Sequence, residues 1–323
     1  MVKIDLKDRK ILYQLDLDSR QPFSRIGNNV GLPKNSVISR INRLKEEGII
    51  RNFYTVIDVY KLGYILMRFH YKYQYTTPEI EKELIDYFIK NKYSTLIAST
   101  HGKYNLKVVI IIKNMDEFYN LWQDTQNKYG HYFQDRSSAL FINEMYYDSS
   151  FILLNNYDKN QREKFTLRGK GKRVKIEDLD FKILRLISAN ARMSPAEIAE
   201  KLKVSSATIR YRIKKLQELD VIQGFRIDMD ISKLGYRIFR VYIYLKNYAK
   251  RKEIIDYIKF NPNLVFIDTY TGEADLELEF YFENMDQFPK TMQNLTIKFP
   301  NAIRHYKYLN IVKYHKFLYM PEE

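Results

Sequence analysis

The stretch "SRIGNNVGLPKNSVISRINRLKEEGIIRNF" (24–53) reads as a short helix, a tight turn at Gly31, a second helix and a short strand. Pro33 suits the start of that second helix, where a missing N–H costs little. Val37, Ile41 and Leu44 follow at i, i+4 and i+7, which gives one buried face. Gly48 stands where the helix should end in a left-handed residue. Just upstream, "DRKILYQLDLDS" (8–19) carries Ile11, Leu12, Leu15 and Leu17 in a helical pattern. The whole predicts a helix-turn-helix with a small strand pair after it, its last helix shaped to read a DNA groove.

The same unit occurs twice. "KLGY" stands at 61–64 and again at 233–236, an offset of 172. At that offset Ile11-Leu12 maps onto Ile183-Leu184, Arg20 onto Arg192, Arg40-Ile41 onto Arg212-Ile213, and Phe53 onto Phe225. Further on, "NMDEF" (114–118) matches "NMDQF" (284–288) at an offset of 170. Such a period is far too long for a solenoid repeat, so the chain is a duplicated multi-domain unit. The boundaries predicted are helix-turn-helix domains at 1–60 and 176–232, sensing or assembly domains at 61–155 and 233–323, and a basic linker at 156–175.

The second block of each copy alternates strands and helices. In the first copy the strands are 65–75, 94–100, 106–113 and 137–148, with helices at 79–91 and 115–130. In the second copy strands at 237–246, 264–270, 275–282 and 303–313 alternate with helices at 250–260 and 285–298. This order is the β-α-β-β-α-β of a ferredoxin-like sandwich, so the chain is α+β: two winged helix-turn-helix domains, each followed by a ferredoxin-like domain. One open sheet face per copy needs a partner. The other copy can supply it, as an intrachain pseudo-dimer, and a homodimer is the other arrangement to consider.

The chain has 54 Lys and Arg against 39 Asp and Glu, a net charge of +15, which points to a polyanionic partner. It has no cysteine, which excludes disulfides and thiol chemistry and suits a reducing cytoplasm. The longest aliphatic run, "VVIII" (108–112), is too short to span a bilayer, and "MVKIDLKDRK" lacks a signal-peptide core, so no membrane partner is expected. The five histidines show no metal-ligand spacing, and neither G-x-S-x-G nor G-x-G-x-x-G is present. No catalytic residue, metal or cofactor is therefore predicted.

On the two expected reading helices the faces opposite the core are basic and polar. Base contacts are predicted for Lys34, Asn35, Ser39, Ser206, Arg210 and Tyr211, and phosphate anchoring for Arg40, Arg43, Arg212, Lys214 and Lys215, with Asn42 on the same face. Polar residues on a helix face are also simply what water favours, and the pattern outweighs any member. The linker segment "KNQREKFTLRGKGKRVK" (159–175) holds eight basic residues (159, 162, 164, 168, 170, 172, 173 and 175), with Glu163 the one acid. It predicts a flexible strap near a phosphate backbone.

Residues 176–236, with an Asp before "ILRLI", then Arg192, "EIAEKLKVS", "ATIRYRIKKL", "VIQGF" and the closing Leu-Gly, resemble the N-terminal domain of the Lrp/AsnC family of transcriptional regulators. Residues 4–64 resemble it more loosely, and "GKYNL" (102–106) and "GEADL" (272–276) resemble the family's sensing turn. The resemblance implies a fused form of a protein that normally works as a dimer, with double-stranded DNA as partner and an effector such as an amino acid. It makes Gly102, Asn105, Gly272 and Asp275 candidate effector contacts, although glycines here also serve a tight β-turn. Pro33 replaces the usual Ser at the start of the first reading helix, and Asp220 replaces the usual Gly at the end of the second. Siroheme decarboxylases share this fold and form the alternative; of their Arg-x-His-x-Tyr-Asn-Leu-Trp stretch, "HGKYNLK" (101–107) keeps only Tyr104-Asn105-Leu106.

Overall fold

In the computed structural model, residues 2–154, 162, 164–169, 172–272 and 274–321 are described. Each copy opens with three helices: α1 (Leu6–Leu17), α2 (Phe23–Val30) and α3 (Lys34–Glu46) in the first, with strand β1 (Ile50–Ile57) after them. A short 3-10 turn, Val59–Leu62, leads into β2 (Ile65–Tyr73), α4 (Pro78–Lys90), β3 (Ser94–Gly102), β4 (Leu106–Ile112), α5 (Met115–Tyr129) and β5 (Phe133–Tyr147). Strand β6 (Lys164–Arg168) joins the copies. The second copy repeats the series as α6 (Asp178–Ala189), α7 (Pro195–Leu202), α8 (Ser206–Glu218) and β7 (Ile222–Met229), followed by β8 (Arg237–Leu245), α9 (Arg251–Ile258), β9 (Leu264–Tyr270), β10 (Leu276–Phe282), α10 (Gln287–Lys298) and β11 (Ile303–Phe317). Among the described residues no helix is long and apolar enough to cross a membrane.

The two ferredoxin-like sheets close on one another. The order β2-β4-β3-β11-β8-β10-β9-β5 returns from β5 to β2, so eight antiparallel strands form a barrel with four from each copy. Closure removes the unpaired edges that each four-stranded sheet would expose. Two joints cross between copies, β3 with β11 and β5 with β9. The first explains why β11 runs to Phe317 rather than stopping at 313: Tyr314 lies opposite Ala98, and Phe317 opposite Leu96. The second lets β5 serve two copies, pairing with β2 through Phe133–Leu140 and with β9 beyond.

Strand alternation sorts the side chains. Phe69, Tyr71 and Tyr73 pack outward with Leu84 and Phe88 of α4 and Leu121 of α5. Arg68 and His70, between them, are wholly buried on the inner side. The second copy builds the matching outer core from Val241, Ile243, Leu278 and Phe280 against Ile254 and Met292. The barrel therefore has an apolar outside under helices and an inside where charged groups and aromatic rings mix.

The strand pair predicted after each helix-turn-helix is made once, between copies. β1 and β7 form a two-stranded antiparallel ribbon with Tyr54 opposite Arg226 and Phe53 opposite Ile227. Contacts around it are reciprocal, as an isologous interface requires. The Ser19 N–H donates to Phe225 O, and the Ala191 N–H to Phe53 O. Arg20 donates to Ala191 O, and Arg192 to Ser19 O. The Asp58 N–H donates to Val221 O, and the Asp230 N–H to Ile49 O.

The described part of the linker is docked. β6 pairs with β5 from Tyr147–Lys164 to Asn143–Arg168, and the Phe165 ring lies on Gly224, where any side chain would collide with it. The Arg162 side chain is buried, bonded to Asp148 and donating to Asn261 O at 2.7 Å, so it does not lie along a phosphate backbone. The Val174 N–H donates to Lys61 O as the Val2 N–H does to Lys233 O, so the linker's end repeats the chain's start. Arg168, Lys172, Arg173 and Lys175 are exposed. Lys159, Glu163 and Lys170 lie outside the described residues.

Candidate DNA-reading face

α3 and α8 bury Val37, Ile41 and Leu44, and Ile209, Ile213 and Leu216, and turn the opposite faces to solvent. Lys34, Asn35, Ser39 and Asn42 are exposed on α3; Arg210, Tyr211 and Lys214 are exposed on α8, with Ser206 and Lys215 half-buried. Tyr211 is 63% exposed, a large ring held away from any core. Ser205 caps α8 by accepting from the Thr208 N–H at 3.0 Å, whereas Pro33 precedes α3 without a side-chain cap. Equivalent positions thus present Asn35 against Ala207 and Ser39 against Tyr211.

Three predicted phosphate anchors are engaged elsewhere. Arg40 lies 2.8 Å from both Asp5 and Asp8, Arg43 lies 2.5 Å from Asp8, and Arg212 lies 2.7 Å from Glu177 and 3.4 Å from Asp180. These acids also cap α1 and α6: the Asp8 N–H donates to Asp5 at 2.8 Å, and the Glu177 N–H to Asp180 at 3.0 Å. The Arg212 hydrogen bond holds the Glu177 carboxyl below its ordinary pKa. Arg40, Arg43 and Arg212 therefore fasten each reading helix to the first helix of its own copy. Phosphate contact by these three would cost those bonds. Lys214 has only an exposed i,i+4 partner, Glu218 at 3.6 Å.

The pattern of helix faces does not show how the reading helices are held. Lys233 donates to Glu47 O at 2.7 Å and Lys61 to Leu219 O at 2.9 Å, so each "KLGY" lysine meets the C-terminal end of the other copy's reading helix. A cation at that end satisfies an orphan carbonyl and opposes the helix dipole. Gly48, at φ +68°, leaves the room: a Cβ there would meet the Lys233 ammonium. Asp220 adopts φ +52° in the second copy and instead offers Lys61 a carboxylate at 3.4 Å. The available signal was the repetition itself, since Arg20, Phe53 and Lys61 recur because they cross between copies.

The four candidate effector residues sit at the β3–β4 and β9–β10 connections, at one end of the barrel. Gly102, at φ +128°, backs onto the Leu309 side chain and Tyr308 O, while Gly272, at φ +100°, faces open space. Asn105 Oδ1 accepts from the Tyr73 N–H at 3.0 Å, and Asp275 Oδ2 from the Leu245 N–H at 2.6 Å. Both polar side chains thus fasten their own turns to the neighbouring strand. Tyr104 and Ala274, one from each turn, share a small buried cluster with Tyr242 and Leu309.

The barrel interior is charged and divided unevenly. Arg68 of the first copy pairs with Glu277 of the second, both fully buried. Arg240 pairs with Asp268, and with Glu277 and Glu279 at 3.1 Å each. At the 172 and 170 offsets Arg240 corresponds to Arg68, but Glu277, Asp268 and Glu279 correspond to Lys107, Ala98 and Val109. These three acids come from the second copy, and the first adds Glu144. Lys107 is buried among these charges, and burial with the nearby Arg240 lowers its pKa to about 8. Among the described residues, no group of three or more His, Cys, Asp or Glu side chains is arranged to hold a metal ion.

The winged helix-turn-helix DNA-binding family matches residues 4–51 and 176–223, the two three-helix units. An uncharacterized HTH-type transcriptional regulator of Pyrococcus furiosus is 38% identical over 123 residues, which cover 37% of this chain and 82% of that one. The HTH-type regulator Ptr1 of Methanocaldococcus jannaschii is 34% identical over 101 residues, 31% of this chain and 68% of its own. LrpB of Bacillus subtilis is 22% identical over 150 residues, 46% of this chain and all of its own. Such relatives correspond to about one copy. Over nearly the whole length, 98% of this chain and 94% of the other, the fold is similar to the siroheme decarboxylase NirDL, with a TM-score of 0.61 at 13% identity. At that identity the likeness concerns architecture.

Proposed function

Because the chain belongs to the Lrp/AsnC family of helix-turn-helix transcriptional regulators and carries the family's unit twice, we propose that one molecule reads one asymmetric site in double-stranded DNA. The observation that carries this is the reciprocal clamping of two unlike reading helices on a single β1–β7 ribbon. A pseudo-twofold pair places its half-sites about 34–36 Å apart, one helical turn. Asn35, Lys34 and Ser39 reach bases in one half-site, with Asn42 beside them, and Arg210, Tyr211 and Ser206 in the other. Asn suits adenine and Arg suits guanine. Lys214 and Lys215 hold phosphates, while Arg40, Arg43 and Arg212 set helix orientation.

The role is binding rather than catalysis, and the NirDL-like architecture serves here as a frame for two DNA-reading domains. Purified protein that carries a tetrapyrrole absorbance band, or decarboxylates siroheme, would favour the enzyme reading. The direct test is selection of bound sequences from a random duplex pool, followed by a salt series on the winner. An asymmetric two-part motif with a steep salt dependence is expected. No enrichment, or a perfect palindrome, would overturn the proposal.

A further inference from the structure

Between the β1–β7 ribbon and the inner wall of the barrel lies a cavity of about 100 Å³. Its lining holds three carboxylates, Glu144, Asp268 and Glu279, against two inward cations, Lys107 and Arg240. Arg51 and Asp228, also in the lining, satisfy each other at 2.6 Å. The inner groups thus carry one more negative than positive charge when all are ionised. Arg240 is already spread over Asp268, Glu277 and Glu279. Asp268 is 2% exposed, and its second oxygen, Oδ1, has no hydrogen-bond partner among the described residues.

The rest of the lining is aromatic and aliphatic. Eight aromatic rings border the space, among them Tyr146, Phe266, Tyr270 and Tyr319. Aromatic faces attract cations, and they do so most strongly where water is excluded. An anion would meet Asp268 and Glu279 here, and a neutral ligand would leave the Asp268 oxygen unanswered. A dry cavity of roughly 150 Å³ admits benzene, so this one holds an ion of about five heavy atoms.

We propose that this cavity is a binding site for a small organic ammonium ion, its charge set against Glu144 and the unpartnered oxygen of Asp268 and its alkyl groups against the surrounding rings. The site itself does not depend on the DNA-binding reading. Only its consequence does: the ribbon that carries both reading helices is one wall of the cavity, so occupancy bears on their spacing. Protons follow the same logic. Burial and then Asp268 push the Glu144 carboxyl up to about 8, so it is largely protonated at neutral pH. An arriving cation favours its ionised form, and binding releases a proton.

The test is calorimetric titration of the full chain, without DNA, in buffers of different ionisation enthalpy. The probes are tetramethylammonium and propylammonium, with neutral tert-butanol and anionic propionate as controls of similar size. Saturable binding of an ammonium with proton release, at least tenfold tighter than either control, is expected. Glu144→Gln should lower that affinity at least tenfold while the circular dichroism spectrum is kept. The ligand series on the unaltered chain stands by itself if the variant misfolds. Ammonium binding no tighter than tert-butanol, preference for propionate, or no saturable binding at all would overturn the proposal, the last leaving a cavity filled only by water.

Discussion

At the scale of single residues, side chains that cross between copies do the most to define the molecule. Asp16 of α1 and Arg226 of β7 form a buried pair, with Arg226 Nε 2.9 Å from Asp16 Oδ1 and neither residue more than 1% exposed. Removing one partner of such a pair strands the other charge, at about 3–5 kcal/mol. Asp16→Ala should therefore lower the unfolding free energy in urea by about that amount. Lys61→Met removes a half-buried cation from the end of α8 and should cost about 0.3–1 kcal/mol in the same measurement. Glu144 binds its proton more tightly folded than unfolded. The stability this confers is complete below the ordinary value of 4.5 and is lost as pH rises through about 8. Glu144→Gln should thus gain stability on the parent protein across that window, seen as unfolding midpoints that diverge from pH 4.5 to 8. None of these roles could be read from Asp16, Glu144 or Lys61 alone, because each partner lies more than a hundred residues away.

At the scale of elements, the reading helices show how far pattern reasoning goes. Their buried faces follow from i, i+4, i+7 spacing, and their exposed faces follow by exclusion. The state of each charge does not, since Arg40 and Lys34 are both basic residues on the same helix. Only the fold reveals that Asp5 and Asp8 stand within reach of Arg40. Arg40→Ala should lower unfolding stability and leave the salt slope of DNA binding unchanged, whereas Lys214→Ala should reduce that slope by about 1 and spare stability. Salt titrations of operator binding beside urea curves separate the two. The ends of β11 and the existence of β6 escaped the sequence for a related reason: both strands are specified by edges they pair with, not by their own periodicity.

At the scale of the whole molecule, the two copies of the repeat share one interior. The β-α-β-β-α-β order was legible because each element repeats with its own period, and the internal repeat named the partner for the open sheet. Glu277 of the second copy pairs with Arg68 of the first, so the two halves are complementary in charge as well as shape. An interior built this way needs no second chain. The unfolding midpoint should accordingly be independent of protein concentration over a hundredfold range, where a dimer would gain stability by mass action.

The most direct measurement grafts the exposed face of α3 onto α8 and repeats the selection from random duplex DNA. The grafted chain carries Ser206→Lys, Ala207→Asn, Arg210→Ile, Tyr211→Ser, Lys214→Asn and Lys215→Arg. With two like helices on the same ribbon, the preferred site should change from asymmetric to palindromic, with its half-site spacing kept. A preferred site that stays unchanged after the graft would contradict the assignment of these helices as the parts that read DNA.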